Sequence, residues 1–146
     1  MSWSPRHIVA AVDGSEPSER AARQAVEMAQ VTGARVSMIT VVRPPEGWWG
    51  LEGSPPSPEA LAAALSSART DVLDVLIDQL DTEGVDVSVN EELGDPASVV
   101  ITFCQEQDAD LLVIGRRGAG LVERMMIGSV ADRLAHHAPC PLMIVP

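Results

Sequence analysis

Apolar residues along this chain fall into short unbroken runs separated by stretches in which they recur at helical spacing. Ile8 to Val12 is one such run, closed by Asp13-Gly14-Ser15, the pattern of a buried strand. Ala21, Ala22, Ala25, Val26 and Ala29 then mark one face of an amphipathic helix, with Pro17 in its first turn and Gly33 just past its end. Val36 to Val42 is a second apolar run. Strand, helix and strand in this order imply a parallel crossover.

Arg43 to Pro58 interrupts the pattern with five prolines, three glycines and the Trp48-Trp49 pair, and reads as a long connection over the sheet edge. Ser57 and Pro58 then have the form of an N-cap and first helical residue. Leu61, Leu65, Ala68, Val72, Val75, Leu76 and Leu80 form one apolar face of a helix running to about Thr82. Asp71, Asp74, Asp78 and Asp81 share this helix and are read as a solvated acidic face. Val85 to Val89 alternates as a half-exposed strand does. Asp95-Pro96 repeats the cap signal before a helix with Val99, Val100, Phe103 and Cys104 inward. Leu111 to Ile114, a helix opening at Gly128-Ser129, and Leu142 to Val145 complete five strands and four helices. The fold class is therefore α/β: a single doubly wound domain, residues 1–146, with a parallel five-stranded sheet in the order 3-2-1-4-5.

In such a sheet ligands sit at the carboxyl ends of the strands where the winding direction reverses, here between the first and fourth strands. Those strands end at Asp13 and Gly115. Gly118 follows Gly115 after two residues, and Gly128-Ser129 after nine more. Glycines allow a backbone to turn tightly and to approach a ligand closely, and a helix start offers N–H groups and a positive dipole end to an anion. Arg116, Arg117 and Arg124 add positive charge to this stretch.

Composition narrows the chemistry. A net charge of −11 speaks against general binding to nucleic acid phosphates. All ten basic residues are arginine, which excludes a Walker A lysine and a Schiff-base lysine. Cys104 and Cys140 have no metal-ligand or CxxC spacing and are expected to be reduced structural thiols. His7 reads as structural, and His136 and His137 as residues at a helix end. The start, MSWSPRHIVAAV, lacks the form of a signal peptide and no run has membrane-spanning length, so a cytoplasmic protein without a membrane partner is expected.

Three stretches, HIVAAVDGSEPSERAARQAVEMA, DADLLVIGRRGAG and MIGSVADRLAHHAPCPLMIVP, together resemble the universal stress protein family over essentially the whole chain. Gly115, Gly118, Gly128 and Ser129 match the glycine spacing of its ATP-binding members. The resemblance implies a Rossmann-like fold of the adenine nucleotide alpha hydrolase kind, with bound ATP that carries Mg²⁺ or Mn²⁺ through its phosphates. It further implies that Asp13 meets the ribose hydroxyls, the Val41 main chain meets the adenine edge, and Ala11 and Val12 line the base pocket. Gly115 would support the ribose side. Gly118, Gly128, Ser129 and Val130 would hold the phosphates, with Arg117 contributing charge only. Homodimerisation through residues 142–145 is also implied, and the segment 43–58 is variable.

The function expected from this reading is a nucleotide-dependent stress-response regulator that acts by binding, with its regulatory protein partner unidentified. A slow ATPase or adenylate-handling enzyme on the same fold is one alternative. Against fast turnover stands the absence of HIGH and SGGxDS motifs and of a clear second catalytic group. A nucleotide-free interaction module docking through Trp48-Trp49 is the other.

Overall fold

The computed structural model describes residues 3–42, 57–59, 73–116 and 128–146. Its strands are β1 (His7–Ala11), β2 (Arg35–Val42), β3 (Val87–Leu93), β4 (Leu111–Gly115) and β5 (Leu142–Val145). Its helices are α1 (Glu16–Thr32), α2 (residues 73–79), α3 (Pro96–Glu106) and α4 (Ser129–His137). The strands form one all-parallel sheet in the order β3-β2-β1-β4-β5. The expected architecture and strand order are those observed.

Local signals account for the helix ends. Ser15 caps α1 by accepting the Ser18 N–H at 3.3 Å, and Gly33 closes it in the left-handed region at φ 78°. Asp95 caps α3 in the same way, accepting the Ser98 N–H at 3.1 Å. Each side-chain cap stabilises its helix by about 1 kcal/mol.

The sheet is covered on both faces, which is why β1 and β4 are almost uninterrupted apolar runs. On one face Ile8, Ala10, Val12, Val36, Met38, Leu111 and Val113 pack beneath the alanine face of α1 and the leucines of α2. On the other, Val9, Ile39, Leu112 and Ile114 pack beneath α3 and α4 through Val100, Phe103, Ala131 and Leu134.

Two expectations are corrected. The third strand runs from Val87 to Leu93 and not over 85–89, because the ladder with β2 pairs Val36 with Val87 and continues to Val42 with Leu93. An edge strand tolerates the polar Asn90-Glu91-Glu92 that the apolar alternation left out. Of the apolar face expected for the second helix, Leu76 on α2 and Leu80 just past its end are buried, whereas Val75 is 50 % exposed and Leu73 takes the inward place. Leu61, Leu65, Ala68, Val72 and Asp71, with the Trp48-Trp49 segment, lie outside the described residues.

Candidate nucleotide site

The carboxyl end of β1 is where the sheet opens. In a parallel strand the N–H and C=O groups of successive residues point alternately to the two neighbours. Ile39 C=O accepts the Val12 N–H at 2.9 Å on the β1 side, and Val42 C=O accepts the Gly94 N–H at 2.9 Å on the β3 side. Val41 therefore directs its main-chain polar groups toward β1, beyond the last paired residue, Ala11 with Ile39. The same parity holds on β4. Leu112 N–H donates to Pro141 C=O and Arg116 N–H to Val145 C=O on the β5 side, so Gly115 faces β1. Since β1 pairs with β4 only as far as Ala10 with Val113, Val41 and Gly115 face each other across the space left where β1 ends.

Asp13 stands at that end. Its Oδ1 accepts from the Ser15 N–H at 2.9 Å and from the Ser15 hydroxyl at 2.5 Å, and its own N–H donates to Ser18 Oγ at 3.2 Å. The turn between them uses Gly14 at φ 87°, a conformation that side chains resist. The α1 cap and the placement of Asp13 are thus one hydrogen-bonded unit, and the carboxylate stays exposed to solvent. Ser18, buried in this unit, was passed over in the sequence; the Ser15–Ser18 spacing of a cap is the signal that would have found it.

Gly115 has a second constraint. A Cβ built there would lie 2.8 Å from Cβ of Pro17 and 2.7 Å from its carbonyl carbon, so β4 ends directly against the first turn of α1.

Beyond β4 the chain leaves at Arg116 and returns at Gly128, whose N–H donates to Arg116 C=O at 2.8 Å. This bond holds the start of α4 beside the end of β4. Gly128 is the N-cap, with no side chain to satisfy the first turn, and Ser129 is the first helical residue, exposed. Val130 is half-buried. Arg116 Nε is buried and finds no hydrogen-bond acceptor among the described residues.

Ala11 and Val41 are half-buried against the α3 and α4 cluster, offering an apolar surface next to the opening. Val12 differs from its neighbour: its side chain is 3 % exposed on the α1 face, which leaves only its main chain for a ligand. Ala11, Asp13, Val41, Gly115, Gly128, Ser129 and Val130 are thus brought to one end of the sheet. Arg117, Gly118 and Arg124 lie outside the described residues.

These groups fit an adenine nucleotide: apolar side chains and directed main-chain groups for a base, a carboxylate for hydroxyls, and a helix start for phosphate. Among the described residues no three His, Cys, Asp or Glu side chains gather as a metal site, and no helix is long and apolar enough to cross a membrane.

A sequence model of the universal stress protein family matches residues 5–146. A universal stress protein of Methanocaldococcus jannaschii is 31 % identical over an alignment covering 96 % of this chain and 81 % of the relative. The structure of a universal stress protein from Archaeoglobus fulgidus in complex with dAMP superposes with a TM-score of 0.59 at 26 % identity, covering 100 % of both chains. A family protein from Arabidopsis thaliana, solved with AMP bound, shares the fold with a TM-score of 0.64 at 20 % identity, covering 97 % of this chain and 91 % of that one.

Proposed function

The chain belongs to the universal stress protein family, and from that we propose that it is an ATP-binding regulator of a cytoplasmic stress response, acting through nucleotide occupancy and not through fast catalysis. The observation that carries this reading is the opposition of Val41 and Gly115 across the end of β1, with Asp13 and the α4 start at its rim. The dAMP complex of the Archaeoglobus fulgidus protein supports an adenine nucleotide as the ligand class.

The residues divide the ligand between them. Ala11 and Val41 offer surface and main-chain groups to the base, with Val12 contributing its main chain. Asp13, held by Ser15, accepts from the ribose hydroxyls. Gly128, Ser129 and Val130 give N–H groups and a hydroxyl to the phosphates, whose added charge is favourable at the positive end of α4. Arg117 and Gly118, from the stretch between β4 and α4, complete the phosphate side. When bound, Mg²⁺ or Mn²⁺ neutralises phosphate charge.

The reading treats residues 1–146 as one domain and includes a homodimer formed by β5. That strand closes the sheet edge with four half-buried apolar residues, and an unpaired edge of this kind is covered by two-fold pairing with its copy. Sedimentation of the purified chain tests the dimer independently of nucleotide.

Calorimetric titration with ATP and Mg²⁺, followed by chromatography of the nucleotide, tests the function. Micromolar binding of one ATP per chain, with the ATP recovered intact, is expected. Steady conversion to ADP would replace this reading with a slow ATPase. No binding of any adenine nucleotide would remove both.

A further inference from the structure

A row of hydrogen-bonded side chains crosses β1, β2 and β3 on the face that carries Val9 and Ile39. Ser37 of β2 and Ser88 of β3 are partners in the parallel ladder, and the Ser88 hydroxyl donates to Ser37 Oγ at 3.0 Å. Ser37 Oγ lies 2.6 Å from Nε2 of His7 on β1. Nδ1 of the same ring is 3.0 Å from the Gln107 carbonyl. A carbonyl can only accept, so Nδ1 carries the proton and Nε2 is the basic nitrogen, to which Ser37 donates. His7 and Ser37 are 3 % and 4 % exposed, whereas Ser88, on the edge strand, is open to solvent. Asn90, two residues on and therefore on the same face, places Nδ2 3.5 Å from Ser88 Oγ.

We propose that Ser88 is the nucleophile of a slow hydrolytic site for small activated carboxylic esters, with His7 taking its proton through Ser37.

A serine hydroxyl is a weak nucleophile until a base removes its proton during attack. Here each hydroxyl donates inward, from the exposed serine to the buried imidazole, so the route for that proton is already assembled. The Gln107 carbonyl positions the ring in the tautomer that leaves Nε2 to accept, as the third member of a nucleophile–base set does. The Asn90 amide is the donor beside the carbon under attack, where an oxyanion forms. Asp86 and Glu92 flank Ser88 and Asn90 in the chain, which disfavours anionic esters and leaves neutral or cationic ones.

The steps balance. Ser88 Oγ bonds to the ester carbonyl carbon, and the carbonyl electron pair moves to its oxygen beside Asn90 Nδ2. The Ser88 proton passes to Ser37 as the Ser37 proton passes to His7 Nε2. The tetrahedral adduct then expels the alcohol, whose oxygen takes the proton back from His7 through Ser37, leaving acyl-Ser88. Water attacks this ester with its proton moving along the same route, and the free acid departs from regenerated Ser88. One ester and one water become one acid and one alcohol.

The row crosses the strands nearer their amino ends, since it involves the first residue of β1 and the second of β3. The nucleotide opening is at the carboxyl ends, so either site stands without the other.

The test is treatment of the folded full chain with a fluorophosphonate probe, read by intact mass and peptide mapping, alongside turnover of p-nitrophenyl acetate. We expect one adduct, at Ser88, and ester hydrolysis that labelling abolishes. Ser88→Ala, a change at an exposed position, should lose both while binding ATP as the parent does. Ser37→Ala, checked for folding by circular dichroism, should slow labelling by about a hundredfold, and Ser37→Thr, which keeps the hydroxyl, should restore most of it. Labelling at another residue or only in denaturant, parental ester turnover in Ser88→Ala, or parental labelling in folded Ser37→Ala would each overturn the proposal.

Discussion

Gly115 ends β4 against Pro17: a Cβ at Gly115 would meet Pro17 Cβ at 2.8 Å and the Ser18 nitrogen at 2.8 Å. The neighbours it would strike are helix backbone and a ring, which cannot swing aside as a long side chain can. This contact fixes the distance between the end of β4 and the α1 cap that carries Asp13. The first glycine of the loop is therefore needed by the protein's own packing, whatever its relation to a ligand.

Gly115→Ala is expected to destabilise the fold by about 1–3 kcal/mol, the range for overpacking a site that must shift backbone. Urea unfolding of the variant and the parent measures it. Equal midpoints would mean that α1 and β4 are not held as close as the structure has them.

Asp13→Asn separates charge from scaffold. The amide oxygen can still accept from Ser15, so the α1 cap should remain and the melting temperature should move by no more than about 2 °C. ATP affinity should fall by about tenfold, the loss of a charge-assisted hydrogen bond of ~1.4 kcal/mol. Unchanged affinity would move the ribose away from this carboxylate.

Asp95 joins two helices, accepting from the Ser98 N–H of α3 and from Arg133 Nη1 of α4 at 2.8 Å. The Ser98 main-chain and side-chain hydrogen bonds, with help from Arg133 and against some desolvation, hold its carboxyl below the ordinary value. A lowered folded-state pKa means that the contribution is complete above the unfolded pKa of roughly 4 and is lost as pH falls through the folded value. Asp95→Ala should cost about 1 kcal/mol at neutral pH and less once the parent carboxyl is protonated, since a neutral acid still accepts the Ser98 N–H but no longer pairs with the Arg133 charge. Unfolding curves at pH 7 and near pH 2 test both halves.

His7 is buried with Nδ1 3.0 Å from Gln107 C=O and Nε2 2.6 Å from Ser37 Oγ. Nδ1 must donate to the carbonyl. Ser37 receives the Ser88 hydroxyl at 3.0 Å and gives its own proton to Nε2. This chain of hydrogen bonds ties α3, β1, β2 and β3 together at the amino end of the sheet. His7→Ala should cost about 3 kcal/mol, because a buried hydroxyl and a part-buried carbonyl lose their partner and a cavity forms. A loss below about 1 kcal/mol in denaturant unfolding would show that water replaces the ring without penalty.

Much of this arrangement was legible in the sequence because it depends on local chemistry. Ser15, Pro17 and Gly33 delimit α1, Asp95-Pro96 opens α3, and the apolar runs of β1, β2, β4 and β5 need only a neighbour on each face. The carboxyl-end position of Asp13 and Gly115 followed from strand order. What was not legible depends on packing between distant residues. The ladder with β2 decides where β3 starts and stops, and packing on the sheet decides that Leu73 and not Val75 is an inward residue of α2. The meeting of Gly115 with Pro17 has no sequence spacing to announce it. The family resemblance puts Val12 beside Ala11 in the base pocket, yet strand alternation places their side chains on opposite faces.

An amide chemical-shift titration of the ¹⁵N-labelled chain with ATP and Mg²⁺ tests the central claim most directly. We expect saturable shifts at Val12, Asp13, Val41, Gly115 and Gly128 through Val130, with the amino ends of the strands unmoved. Shifts centred elsewhere, or none at millimolar ATP, would contradict an adenine nucleotide site at the end of β1.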